Sequence, residues 1–512
     1  MKNQKASQLW PLILFTIGVF MAGLDNGIIG TALTTINESF GVSPSWGAWS
    51  ITLYTLGIAI SVPIVGKLAD RYGRRRMFLA EITLFGLGSL FVALSPNFMS
   101  LLIARFIQAI GGGGIFIIGS SHILATMPKE KQGKALGVLG GMHGLSAIVG
   151  PNLGALILQV TGSWKWMFLI NIPIALFLIV FGALKIPESR QESKKSLDFT
   201  GTILLSISIL SFMLGITQLE GKAWQSIYSD FKISILFLNS IFLLTLLLFY
   251  EKGLEKSGGD PILSLSLLSN RLFQITLFIA VLSGGFLATI VFIPSYVQEV
   301  LQVPVEQAGF WLTPFALMSG VGAGVGGVLT DRIGPARTVM ISGLIAAIGF
   351  SLFPLWVTSG TSFIIASITA GVGFGFLLGA PLNVLVGMAS PSNDQGSALG
   401  LLSLSRQVGL TIFPAVFAGF LTRGMIDVPF LMNRIYGDNR IIFPKEATTS
   451  REQYEAVISQ VETYDLPTQK EMYDTIAHIL KNGYDSMFYI ASLLSLLVLL
   501  GGLYLYKTYT HE

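Results

Sequence analysis

The sequence predicts an all-α polytopic membrane protein of fourteen spans, built as two six-helix halves plus two inserted helices. Three observations carry that prediction. Charged residues make up 12% of the 512-residue chain, against about 25% in soluble proteins, while 52% are hydrophobic and mean hydropathy is +0.69. The apolar residues fall in blocks of about twenty, each long enough as a helix to cross a hydrocarbon core of about 30 Å. The loop GKLADRYGRRR at 66 to 76 recurs, 261 positions later, as GVLTDRIGPAR at 327 to 337.

The first block follows Lys2 and Lys5 and has no small-residue cleavage site after it, so it is read as a retained helix and not a signal peptide. Spans are expected at 9 to 34, 47 to 69, 77 to 95, 99 to 122, 134 to 159, 165 to 185, 198 to 219, 232 to 251, 272 to 297, 307 to 330, 338 to 358, 361 to 386, 397 to 422 and 485 to 507. Gly111 to Gly114 falls inside the fourth span. With no strand before it and no Gly-Lys-Ser/Thr after it, the run suits close helix approach and not a phosphate cradle. The one sizeable polar piece is 423 to 485. In it Ser450-Arg451-Glu452-Gln453 and Thr468-Gln469-Lys470-Glu471 read as capping boxes, and Met472, Ile476, Ile479 and Leu480 form an apolar stripe. Two short amphipathic helices are expected there, at the outer mouth or the bilayer interface, as a passive connector or as a lid.

An even count of spans puts both termini on one side. Lysine and arginine concentrate there, in the N-terminus, the 66 to 76 loop, Lys129, Lys131, Lys134, 185 to 195, 252 to 271, Arg332, Arg337 and Lys507. The opposite short loops hold only Lys165, Lys222 and Lys232. The basic side is therefore expected to be cytoplasmic. The net charge of +4 reports topology and not nucleic-acid binding. Without cysteine there are no disulfides and no thiolate metal sites. No zinc motif, nucleotide loop or nucleophile elbow is present, so no metal, cofactor, ATP drive or enzyme activity is expected.

The shift of 261 matches Gly66, Leu68, Asp70, Arg71, Gly73 and Arg76 to Gly327, Leu329, Asp331, Arg332, Gly334 and Arg337. A shift of 263 matches Lys134-Ala135-Leu136-Gly137 to Ser397-Ala398-Leu399-Gly400 and Pro151 to Pro414. The repeat thus covers whole halves. It sets a first half at 1–190, an inserted pair at 191–257 and a second half at 258–512, an arrangement typical of transporters with a midplane substrate site. Asp70 ends its helix, where the dipole disfavours an anion, so it needs Arg71, Arg74 or a helix N-terminus of the other half as partner. Such a contact is a latch. Gly66 and Gly73 permit close packing and a tight turn.

On these residues the chain resembles the major facilitator superfamily, and within it the fourteen-span drug/proton antiporter branch. Residues 66 to 76, with Gly66, Asp70, Arg71, Gly73, Arg74 and Arg75, are similar to the family's loop between helices two and three, and Asp331 and Arg332 belong to its second copy. Arg105, Gln108 and Gly111 resemble the fourth-helix motif. Gly144, Gly150, Pro151 and Gly154 resemble the fifth-helix antiporter motif, although Ala155 stands where many members have glycine. Leu24-Asp25-Asn26, Trp164 to Phe168 and Asn171-Ile172-Pro173 resemble further marks of the branch. The resemblance implies alternating access, with the loop stabilising an outward-facing state, in the plasma membrane of a bacterium.

Charges inside spans are expensive unless paired or facing a cavity. Asp25 and Arg105 are expected at similar depth as a proton-coupling pair, in which the carboxylate exchanges the proton and the arginine tunes it. The alternative is a permanent ion pair that only ties two helices. Asn26, Gln108, His143, Arg406 and Gln407 are candidate cavity residues. Glu81 is expected in an ion pair near the basic loop, and His122 near a helix end in contact with water. The function expected is proton-coupled export of small amphipathic compounds by a monomer in the lipid bilayer. The alternatives are an exporter or flippase of a lipid, fatty acid or other amphiphile, and a sensor or channel on the same fold.

Overall fold

The computed structural model describes residues 2–189, 198–219, 226–391, 394–436 and 450–509, and among these all regular secondary structure is helical. In the first half lie α1 (Lys2–Phe40), α2 (Trp49–Tyr72), α3 (Arg74–Ala93), α4 (Phe98–Gly113, continued by Ile115–Thr126), α5 (Lys129–Thr161) and α6 (Asn171–Lys185). Next come α7 (Phe199–Leu219) and α8 (Phe231–Lys256). The rest are α9 (Arg271–Glu299), α10 (Thr313–Ile333), α11 (Pro335–Trp356), α12 (Gly360–Gly379, continued by Pro381–Ala389), α13 (Gln395–Tyr436) and α14 (Leu466–Tyr509). Among the described residues thirteen helices are long and apolar enough to cross a membrane. The bent α5, whose parts Lys129–Ser146 and Val149–Thr161 meet at 40°, makes the fourteenth.

The two copies of the repeated loop fold alike. Gly73, between α2 and α3, has φ +102°, and Gly334, between α10 and α11, has φ +89°, a region that side chains with a Cβ rarely enter. Each turn is tight because its glycine ends one helix and starts the next. Within the first half α1 packs on α5, α2 and α3 on α4, and α3 on α6. In the second, α9 packs on α13, α10 on α12, and α11 on α12 and α14. Across the halves α5 meets α10 and α2 meets α13, so the two crossings are related by the same repeat.

Glycine makes those crossings close. A methyl group at Gly66 would run into the carbonyl of Gly396, and one at Gly327 into the carbonyl of Gly133. Backbone therefore packs on backbone, which only a missing Cβ allows. The α5 helix changes partner along its length. Gly133, Gly137, Gly141 and Gly144 face α10, whereas Gly150 and Gly154 face Gly27, Ile28 and Thr31 of α1. Its bend lies between the two sets.

The inserted pair α7 and α8 is held by small residues, with Ser208 and Ser240 each donating its hydroxyl to the other's carbonyl at 2.9 Å. Phe231, Leu238, Phe242 and Phe249 of α8 are largely exposed, as suits a lipid-facing surface. At the foot of the pair, Glu251 accepts from the backbone N–H groups of Ile262 and Leu263, both at 3.2 Å. The same segment supplies Asp260, which pairs with Lys67 of α2 at 2.5 Å.

The polar piece differs from its expected form. Leu466–Tyr509 is one 44-residue helix, so the stripe Met472, Ile476, Ile479 and Leu480 continues the last span and is not a separate short helix. No strong helix breaker interrupts 468 to 485, because a lone glycine such as Gly483 costs only about 1 kcal/mol. Likewise α13 runs to Tyr436 and not to 422. With the helix Ser450–Val461 these extensions form a small bundle with its own core, Val428, Met432, Val457, Val461, Met472 and Ile476. The side chains of the capping box at 450 to 453, and the residues 437 to 449, lie outside the described set.

Candidate functional site

Three groups of residues stand out. The first is a pair of clasps at the face that carries the basic loops. Asp70, at the end of α2, accepts from the backbone N–H of Gly396 at 3.0 Å and of Ser397 at 2.9 Å, in the first turn of α13. Asp331, at the end of α10, accepts from the N–H of Gly133 at 2.7 Å and of Lys134 at 2.8 Å, in the second turn of α5. Each carboxylate thus leaves the unfavourable end of its own helix for backbone N–H groups near the favourable end of another, and Asp70 meets the first turn itself. With the Lys67–Asp260 pair, these four bonds tie the first half to the second.

Of the partners expected for Asp70, Arg74 approaches to 3.4 Å, while Arg71 stacks by Tyr72 with its guanidinium 5.6 Å from the ring centroid. Arg74 is buried and also donates from Nε to Ser121 Oγ at 3.0 Å. Arg75 and Arg76 turn to Glu188, with N···O distances of 3.7 and 3.8 Å. Arg332 is exposed. The basic stretch 185 to 195 lies partly outside the described residues.

The second group lies within the spans of the first half. Arg105 Nη1 donates to Asp25 Oδ2 at 2.5 Å and to Gln108 Oε1 at 2.7 Å. Gln108 Nε2 donates to Asp25 Oδ1 at 2.8 Å and to Ser89 Oγ at 2.7 Å, and Asn171 Nδ2 reaches the same Ser89 at 3.2 Å. The Tyr54 ring lies 4.0 Å from the Arg105 guanidinium carbon and the Phe168 ring lies 5.6 Å from it. Asp25 is 1% exposed, and Arg105 and Gln108 are not exposed at all. The network is therefore sealed inside the first half, and Gln108, expected at the cavity, is enclosed with it. The side chain of Asn26 lies outside the described residues.

The third group lies on the repeat-related helices α5 and α13. His143 on α5 and Arg406 on α13 are 263 positions apart, the same offset that relates the two helices in the repeat. His143 is exposed although protein surrounds it, and Arg406 is close enough for its charge to act on the imidazole. Arg406 donates from Nε to Ser283 Oγ of α9 at 3.2 Å. Gln407 is half-buried beside it. Phe413, two turns further along α13, stacks towards Phe417, which meets Phe292 edge-on.

Two expectations are corrected. Glu81 makes no ion pair among the described residues. It is buried and accepts from the backbone N–H of Gly114 at 3.0 Å, where α4 breaks, so it serves an orphaned helix donor. His122 is 4% exposed and packs on Phe15, because α4 runs on to Thr126 and carries it below the surface. Sequence reasoning missed Tyr54, Ser89 and Asn171 in the Asp25 network and the Lys67–Asp260 pair. Asn171 alone had a signal, as part of the Asn171-Ile172-Pro173 mark. Of the residues that resemble the fifth-helix motif, Gly144 packs on Gly320 of α10, Gly150 and Pro151 on Gly27, and Gly154 on Thr31.

The sequence profile of the Major Facilitator Superfamily matches residues 15–414. An uncharacterized MFS-type transporter of Bacillus subtilis (strain 168), YfiU, is 54% identical, the alignment covering 97% of this chain and 96% of that protein. Multidrug resistance protein 3 of the same organism is 32% identical over 83% of this chain and 82% of its own length. Among solved structures, the proton:xylose symporter XylE bound to a sugar analogue superposes with a TM-score of 0.61 at 15% identity, over 98% of this chain and 96% of that one. With the twin clasps, the fourteen spans and these likenesses together, the chain belongs to the major facilitator superfamily and is a multi-pass membrane transporter, not an enzyme.

Proposed function

We propose that this transporter is a proton-coupled exporter of small amphipathic compounds, of the fourteen-span drug/proton antiporter branch. The observation that carries the reading is the sealed network around Asp25. The carboxylate is held by Arg105 and Gln108 and bordered by four further side chains, Tyr54, Ser89, Phe168 and Asn171. A structural tie between two helices needs only the ion pair. A carboxylate that binds and releases a proton needs partners able to rearrange when its charge disappears, and Gln108, Ser89 and Asn171 form a chain that can do so. The names of the multidrug resistance relatives support the substrate class.

In this reading the basic face is cytoplasmic and the clasps close it, so the substrate leaves towards the opposite side. Protonation of Asp25 neutralises one partner of a buried pair, leaves Arg105 less compensated, and biases the bundle towards another packing. Because proton and substrate favour different states, they are exchanged and not carried together. Asp25→Asn keeps the shape and removes the proton site. In everted vesicles it is expected to insert normally and lose export driven by a pH gradient, while Asp25→Glu keeps part of it. Uphill export by Asp25→Asn equal to the parent would refute the assignment.

A further inference from the structure

Arg406 lies eleven residues into α13, about 16 Å along the helix from its start at the basic face and thus near mid-membrane. Its charge is permanent. Unlike Arg105, it has no carboxylate within 4 Å among the described residues, and its Nη2 is buried without a hydrogen bond. Among the described residues its one side-chain hydrogen-bond partner is the neutral hydroxyl of Ser283. The helices packed on α13 bring acidic groups only near the membrane faces, such as Asp70 of α2, Glu299 of α9 and Asp485 of α14. The two acids inside the spans are both engaged elsewhere, Asp25 by Arg105 and Glu81 by the Gly114 N–H. Arg406 is therefore, among the described residues, an uncompensated charge at mid-membrane. Such a group inside a membrane is retained for a ligand or an ion path and not for stability.

The surroundings specify the ligand. On the repeat-related helix, within range of the Arg406 charge, is His143, a second group able to donate a hydrogen bond. Phe413 stands on the same face of α13 two turns away, since residues seven apart align, and it continues into Phe417 and Phe292. Phe116 borders His143, with ring centroids 6.4 Å apart. A cationic fork beside an aromatic wall fits a molecule with an acidic head and an apolar body. A cationic amphiphile would meet an unscreened like charge there.

Resting on the export reading above, we propose that the space between the halves is an anion receptor in which Arg406 binds the carboxylate of an amphipathic weak acid. The transported compounds are accordingly organic acids with an aromatic or alkyl body, and Arg406 sets that selectivity. The fork geometry of a guanidinium suits a carboxylate, which accepts two parallel bonds.

The test uses the full chain in phosphatidylcholine nanodiscs and two fluorescent probes with the same body, pyrenebutyrate and pyrenebutyl-trimethylammonium. The parent is expected to bind the carboxylate at least about tenfold more tightly than the cation. Arg406→Gln should abolish that preference, with carboxylate affinity falling about ten- to a hundredfold, the range for a lost charge-assisted bond. Arg406→Lys should keep the preference with weaker binding, and it answers the question if the glutamine variant fails to fold. Repeating the titration with phosphatidylglycerol in the disc separates the sources of the acid. Competition assigns the site to an anionic membrane lipid, and unchanged binding assigns it to a free amphiphile. Equal or tighter binding of the cation by the parent, no binding of either probe, or an unchanged preference in Arg406→Gln would overturn the proposal. Binding is read without a gradient, so loss of proton coupling leaves this result standing and the two readings fail separately.

Discussion

Removing the charge of the clasps should open the basic face by a calculable amount. Asp70 and Asp331 each accept two backbone N–H bonds of 2.7 to 3.0 Å from the opposite half. A hydrogen bond to a charged group is worth about 1.5 to 3 kcal/mol net. Asparagine keeps one acceptor oxygen and turns an N–H group towards the other donor, so each substitution forfeits roughly one such bond and weakens the second. The loss is about 2 to 3 kcal/mol for Asp70, whose side chain is 7% exposed, and less for the more exposed Asp331. At about 1.4 kcal/mol per tenfold change, Asp70→Asn shifts the closed-to-open ratio roughly thirty- to a hundredfold. The chain has no cysteine, so cysteines introduced at Lys129 and Arg332, one on each half, are the only label sites. Pulsed electron resonance between spin labels there should show a longer-distance population growing from the parent to the single variants and to the double variant. Identical distance distributions in all four proteins would refute the clasp energetics.

Two further outcomes follow from packing. Gly66→Ala places a methyl against the Gly396 carbonyl without touching any charge, and overpacking of this kind costs about 1 to 3 kcal/mol. It should open the same label pair, and an unaltered distance would mean that the helices do not need this contact. Met472→Asp buries a charge in the core of the outer bundle, where Met472 is fully enclosed. Limited proteolysis should then cut between 450 and 472 while the spans stay intact, whereas unchanged cleavage would argue against a packed bundle.

Much of this architecture is written in one dimension. Apolar blocks of about twenty residues mark spans whatever they pack on, and the repeated loop shows the two halves because the same turn glycines and aspartates recur at one offset. Asp70 illustrates the limit. Its position at a helix end demands a partner, yet only the packing shows that Arg74 and the first turn of α13 serve and that Arg71 does not. Glu81 misleads because a charge near a basic loop suggests an ion pair, while the donor it meets is a backbone N–H exposed by a helix break that polarity alone does not reveal. Tyr54 and Ser89 carry no signal at all, since a tyrosine or serine among apolar residues is ordinary until a guanidinium lies on it. The extended α13 and α14 were hidden because polar residues end a hydrophobic block without ending a helix.

The length of those two helices has a mechanical consequence. At 1.5 Å per residue, α13 and α14 measure about 63 and 66 Å, roughly twice the hydrocarbon thickness. Their outer ends are rods rooted in the second half and fastened together by the small bundle. Tilting that half by about 10° would sweep a tip about 30 Å above the bilayer through about 5 Å, so an event at the opposite face is magnified at the bundle. A nanobody wedged between the bundle and the loops of the first half would act as a brake on the whole cycle, applied at the face away from the basic loops.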